Sequence, residues 1–113
     1  LDKIFFSIGG VDFDTIIATS GVASSEEIHR FQRAGAQAVL CGHFIDEKGA
    51  HVVQDFADRM IGASLAQVKS AKIKICVAEG QKKLAPIRSA INGGYVTHLV
   101  VDSSLAEALN NCD

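Results

Sequence analysis

The stretch Ala78-Glu79-Gly80-Gln81-Lys82-Lys83 sets two adjacent ammonium groups where an apolar run gives way to a helical pattern. A lysine at a helix start opposes the helix dipole, at a cost of about 0.3–1 kcal/mol. A bound phosphate or carboxylate reverses that sign, because backbone N–H groups, dipole and lysine would all face it. Gly80 supplies the backbone freedom for the bend. An anion held here would meet the side chain of Lys83 and the backbone of Gly80, Gln81 and Lys82. The plainer reading leaves both lysines solvated, with Glu79 offsetting them. Gly80 belongs to neither a full G-x-G-x-x-G nor a Walker pattern, so nucleotide binding is not supported.

Two other junctions carry candidate chemistry. Ser7-Ile8-Gly9-Gly10 ends an apolar run with two glycines, so Gly9 either lets a ligand approach the backbone or makes a simple sharp turn. Cys41-Gly42-His43 leads into Phe44 and Asp46. His43 is a candidate ligand or acid/base group, or a polar edge residue. Asp46 is a candidate ligand contact or a turn residue. His29, His51 and His98 have no such context. Cys41, Cys76 and Cys112 form no C-x-x-C pair and read as free thiols, which fits a reducing cytoplasm. No Ser/His/Asp order, paired carboxylates or metal-ligand spacing appears, so neither an enzyme, a cofactor nor a metal is required.

These residues need a scaffold, and the chain supplies enough for one domain. It has 113 residues, 48% apolar and 21% charged. Eleven Lys and Arg against thirteen Asp and Glu give a net charge of −2. That excludes an obvious polycationic surface for nucleic acid or membrane in this segment. No apolar run is long enough to span a bilayer. The chain opens on Leu1 rather than Met and is read as a piece of a longer protein.

Short apolar runs alternate with helical patterns. Lys3 to Ile8, Ala38 to Cys41, Ile73 to Ala78 and Thr97 to Val101 read as strands. Asp46-Glu47-Lys48-Gly49 reads as the turn of a hairpin between Phe44-Ile45 and His51-Val52-Val53. Ser24-Ser25-Glu26-Glu27 is a capping box, and the helix it starts stops at Gly35. A second helical turn is expected near Ser64. A third helix runs from about Lys83 to Asn92, with Pro86 near its start, because an interior proline costs roughly 3 kcal/mol. Asp102 or Ser103 caps a last helix, Leu105 to Asn110. Val11 to Ala23 reads as a loop or a short helical turn. The alternation predicts an α/β domain with a mostly parallel sheet flanked by helices. In such sheets ligands collect at the carboxyl ends of the strands.

Val77-Ala78-Glu79-Gly80-Gln81-Lys82-Lys83-Leu84-Ala85-Pro86-Ile87-Arg88-Ser89-Ala90-Ile91-Asn92-Gly93-Gly94 resembles a stretch of the SorC-type sugar-binding transcriptional regulators, relatives of the DeoR-type effector domains. That stretch reads Val-Ala-Gly-Gly-x-x-Lys, then Ala-Ile-x-x-Ala-Leu-x-Gly-Gly. Gly35 to Gly49 resembles the family's Gly-Ala-Val-Gly-Asp-x-x-Gly-x-Phe-Phe-Asp-x-x-Gly segment, Ser7-Ile8-Gly9 its Gly-Ile-Gly, and Val96 to Leu109 its final strand and helix. The matches are collinear over nearly the whole chain. Two positions depart from the pattern: the family's acidic residue falls on Val39, and the first glycine of Ala-Gly-Gly is Glu79.

The resemblance implies the later part of an effector-binding domain, similar in fold to sugar-phosphate isomerases and deaminases. It implies a phosphorylated sugar as effector, with Lys83 as its phosphate or sugar contact. It implies operator DNA as a second partner, bound through an N-terminal helix-turn-helix that this segment lacks. It further implies a dimer or tetramer, while the free thiols and the lack of a long apolar run point to a cytoplasmic protein with no membrane partner. The alternatives are an isomerase- or deaminase-like enzyme on the same fold and a ligand-free oligomerisation module.

Overall fold

In the computed structural model of the chain, the described residues are 2–11, 23–55 and 62–111. Most of the ambiguous Val11 to Ala23 stretch, part of the segment before Ser64, and Cys112 lie outside them. Six strands form one sheet: β1 (Lys3–Gly9), β2 (Ala38–Leu40), β3 (His43–Ile45), β4 (His51–Val52), β5 (Ile73–Ala78) and β6 (His98–Val101). Their order is β4-β3-β2-β1-β5-β6. Among the described residues four α-helices accompany them: α1 (Ser25–Arg33), α2 (Leu65–Ser70), α3 (Leu84–Asn92) and α4 (Ser103–Asn111).

The expected α/β sheet flanked by helices is present. Its parallel part is β1, β5 and β6, and the other half is antiparallel. Connection length is the reason for the pairing of β2, β3 and β4. Parallel neighbours need a crossover, whereas a two-residue loop permits only a hairpin. Leu40 pairs with His43 across Cys41-Gly42, and both loop residues have positive φ, 52° and 82°. That is the backbone of a tight primed hairpin turn. Cys41-Gly42 is therefore a hairpin tip between two strands, and His43 is a strand residue. The expected Asp46 to Gly49 turn forms next, between β3 and β4. Asp46 Oδ1 accepts from the backbone N–H groups of Lys48 and Ala50, each at 2.9 Å.

Helix starts are written locally. Ser24 Oγ accepts from Glu27 N–H, and Glu27 Oε1 accepts from Ser24 N–H, completing the capping box of α1. Ser64 and Gln67 build a second one for α2. Pro86 is the third residue of α3, where its missing N–H would have had no intrahelical partner.

Strand alternation divides the sheet into two faces. On one, Phe6, Ile8, Leu40, Ile45 and Cys76 pack against Val68 of α2, Ile87 and Ala90 of α3, and Leu105 of α4. On the other, Phe44 of β3 packs under Ile28 and Phe31 of α1. The Phe31 and Phe44 rings lie 4.4 Å apart at a 38° tilt. This second face is sealed over the antiparallel half. Over the parallel half it leaves Phe5 71%, Val77 46% and Val100 55% exposed.

Candidate functional site

The carboxyl ends of β1, β5 and β6 open into a cleft of about 440 Å³. Ser7 and Ile8 of β1, Val77 and Ala78 of β5, and Val100 and Val101 of β6 form its floor, and Glu79, Lys83 and Asp102 supply its charges. β5 ends at Ala78, and Gly80 turns the chain at φ 91°, a conformation that disfavours any residue with a Cβ. Gln81–Lys83 then make one 3₁₀ turn, closed by Lys83 N–H donating to the Gly80 carbonyl at 3.1 Å, and α3 follows. That turn aims the Lys83 side chain back across the sheet. Its Nζ donates to the Ile8 carbonyl at 2.8 Å.

Asp102 ties the two crossing loops together. Its carboxylate caps α4 by accepting from Leu105 N–H at 3.2 Å and from Ser104 Oγ at 3.1 Å. It also accepts from Gly80 N–H, at 3.2 and 3.3 Å to its two oxygens. These bonds, that from Gly80 foremost, hold its carboxyl below the usual carboxylate range. The Gly80 N–H is thus engaged by Asp102, and the backbone donors of the turn are not all directed at the cleft as the helix-start argument expected. From sequence Asp102 reads as a helix cap or, as the lesser alternative, a ligand contact, and neither reading contains its bond to Gly80. Its second role needs β6 beside β5, a long-range pairing that no local signal announces.

Beneath the cleft, burial pushes the Cys76 thiol up to about 11, against a smaller opposing pull from the Lys83 ammonium. Cys41 is likewise raised by burial. Both behave as small apolar groups rather than nucleophiles.

The other candidates divide between the surroundings of the cleft and the far end of α3. Gly9 ends β1 next to Ile8, paired with Val39, at the border of the cleft. Gln81 and Lys82 are exposed on the 3₁₀ turn. Asp46 is not brought to Lys83. Its turn packs on the far end of α3, where Asn92 Nδ2 donates to the Glu47 carbonyl at 2.9 Å and Tyr95 Oη to the Gly49 carbonyl at 3.1 Å. Nine helical residues span about 14 Å, and Lys83 lies beyond the opposite end. His43 Nε2 donates to the Ala63 carbonyl at 3.0 Å. Its ring meets that of His51 edge-on, 5.3 Å between centroids, in a contact separate from the cleft. Among the described residues no group of three His, Cys, Asp or Glu is arranged to hold a metal ion, and no helix is long and apolar enough to cross a membrane.

A helix-flanked sheet with a charged cleft at the carboxyl ends of its parallel strands places the chain in the class of ligand-binding α/β domains. Residues 1–111 match the family described as "Putative sugar-binding domain". The chain belongs to that family, the sugar-binding domains of SorC- and DeoR-type transcriptional regulators. It is 37% identical over 111 residues to the "Uncharacterized transcriptional regulator YjhU" of Escherichia coli K12, covering 98% of this chain and 34% of that relative. The full-length sorbitol operon regulator SorC from Klebsiella pneumoniae superposes with a TM-score of 0.83 at 27% identity, over 96% of this chain and 35% of that one. A DeoR family transcriptional regulator from Listeria monocytogenes shares the fold, with a TM-score of 0.90 at 19% identity over 96% of this chain and 44% of that one. The chain thus spans about a third of the length of the curated relative.

Proposed function

We propose that the chain is the effector-sensing part of a cytoplasmic, sugar-responsive bacterial transcription factor, and that its effector is a phosphorylated sugar held in the Lys83 cleft. The observation that carries this is the Lys83 ammonium lining a cleft at the strand ends, anchored on the Ile8 carbonyl. A phosphate competes well for that ammonium, because a charge-assisted bond to an anion is stronger than one to a neutral carbonyl. The exposed residues Gln81 and Lys82, and Gly9 beside Ile8, would extend the anion contact. Glu79 and Asp102 add carboxylates, which suit sugar hydroxyls rather than a second phosphate. Asp46, at the far end of α3, belongs outside this site. Operator DNA would be bound by a helix-turn-helix outside these 113 residues, in a dimer or tetramer. The effector then acts by binding one assembly or DNA-affinity state more tightly than another, with a coupling of about 1–3 kcal/mol.

Calorimetry and thermal shift on the complete regulator test this, with a panel of sugar phosphates, their parent sugars and inorganic phosphate. A matching sugar phosphate at 100 times its Kd adds about 2.7 kcal/mol of stability. Lys83→Ala removes that response, and the parent sugar does not reproduce it. No shift with any phosphorylated sugar, or an undiminished shift in the variant, rejects the reading. Chemical turnover of a bound sugar phosphate would replace it with the isomerase or deaminase alternative, for which the Glu79 carboxylate at the cleft is the supporting feature.

A further inference from the structure

We propose that His43 and His51 together bind a divalent transition-metal ion of the Zn²⁺, Ni²⁺ and Cu²⁺ class, at the edge of the sheet and apart from the Lys83 cleft. The site is independent of the effector reading above.

The pairing of β3 with β4 brings the two rings together. Ile45 pairs with His51, and Phe44 with Val52. His43 lies two residues before Ile45, so strand alternation puts His43, Ile45 and His51 on one face. The two histidines are diagonal neighbours across the ladder, a separation that long side chains bridge. β4 is an edge strand, and both histidines are half-buried, which leaves the pair close to solvent.

The ring of His43 is oriented as a ligand would be. Its Nε2 donates to the Ala63 carbonyl at 3.0 Å. A carbonyl only accepts, so in the neutral ring the proton sits on Nε2 and Nδ1 carries a free lone pair. A metal-bound histidine is held in this way, with its second nitrogen donating to a carbonyl or carboxylate. Among the described residues, Nδ1 of His43 and Nε2 of His51 are buried without a hydrogen-bond partner. Such atoms are rare in folded proteins, and an ion is one of the few things that accounts for them. Here two fall on a single pair of rings, 5.3 Å between centroids with their planes at 89°. Two imidazoles sharing one tetrahedral ion at the usual metal–nitrogen distance have ring centres about 5.2 Å apart. The observed separation is therefore the one a shared ion requires.

The ligand type sets the class of ion. Imidazole nitrogen suits Zn²⁺, Ni²⁺ and Cu²⁺, whereas Mg²⁺ and Ca²⁺ demand oxygen. With two ligands from the protein, water fills the other positions and the ion exchanges. A closed structural zinc site would take four protein ligands. The ion bridges β3 and β4, and through the Ala63 carbonyl it is braced against the segment that leads into α2.

Calorimetry of the complete regulator with ZnCl₂, NiCl₂ and MgCl₂ tests this. Zn²⁺ and Ni²⁺ should fill a site that Mg²⁺ does not. H43Q and H51Q should each weaken it by roughly tenfold or more, and H98Q, at an exposed histidine of β6, should leave it unchanged. No binding by the parent, undiminished binding in either folded variant, or an equal loss in H98Q overturns the site. Should a variant fail to fold, copper–ascorbate oxidation of the parent decides, read by peptide mass spectrometry. Oxidised histidine is expected at His43 and His51 ahead of His29 and His98. Equal oxidation of all four overturns the site.

Discussion

The Lys83 ammonium donates to the Ile8 carbonyl across 75 positions of sequence, joining the end of the central strand to the turn that starts α3. β1 and β5 are neighbours in the sheet, so a lysine one turn beyond β5 reaches the last residues of β1. The bond fixes the charge at the cleft and leaves it half-buried rather than swinging in solvent. A ligand anion meets an ammonium already placed, which lowers the ordering cost of binding.

Lys83→Met keeps the aliphatic stem and removes the charge. It should cost about 1 kcal/mol of stability for the lost hydrogen bond, discounted for partial exposure. Affinity for a sugar phosphate should fall by a factor of ten or more, equivalent to about 1.4 kcal/mol. Chemical denaturation and calorimetry of the complete regulator separate the two effects.

The same variant should change a neighbour. Burial raises the Cys76 thiol and the Lys83 charge opposes that rise. Without the ammonium the thiol should titrate higher still. Alkylation of Cys76 should be slow in the native protein at neutral pH, slower in Lys83→Met, and fast for both once denaturant exposes the thiol.

Asp102→Ala should lower the Tm by a few degrees, because it removes the cap of α4 and frees the Gly80 N–H together. The carboxyl is held below its ordinary value in the folded protein. Its stabilisation is therefore complete above the unfolded carboxylate pKa and lost as pH falls through the lower folded value. Thermal melts between neutral and strongly acid pH should show that loss in the parent and less of it in the variant.

His51 works in the histidine window. Burial first, and the adjacent His43 second, lower it from its ordinary 6.5. The unfolded chain then binds more protons than the folded one between the lowered value and 6.5. Stability should fall as pH drops below 6.5 and level off once the folded state also protonates. Among the described residues the buried Nε2 of His51 has no hydrogen-bond partner, so a proton there finds no acceptor. His51→Phe should flatten the dependence in a pH series of denaturation midpoints.

Three glycines should respond differently to alanine. At Gly49, φ 86°, a Cβ would collide with the Gly93 backbone. At Gly93 it would collide with the Tyr95 ring. Either change should destabilise by more than about 2 kcal/mol. At Gly80 a Cβ meets nothing within 4 Å, and only its φ of 91° resists. Gly80→Ala should cost about 1–2 kcal/mol and shift the 3₁₀ turn that aims Lys83. Urea titrations of all three measure the order.

Local chemistry was legible in the residues themselves. The Ser24–Glu27 capping box, the Asp46 to Gly49 turn, the Asp102 cap and the Gly80 bend before Lys83 all stand where residue types placed them, because each depends on contacts within a few positions. The collinear motif resemblance reached further and named the family. What the residues alone did not decide is set by pairing across the chain. The two-residue hairpin at Cys41-Gly42 set β3 antiparallel to β2 and made His43 a strand residue. The direction of α3 put Asp46 and Lys83 at opposite ends of one helix. The β5–β6 pairing gave the Asp102 carboxylate a second partner in Gly80. Those outcomes need distances between residues tens of positions apart, and such distances exist only once strands have chosen their neighbours.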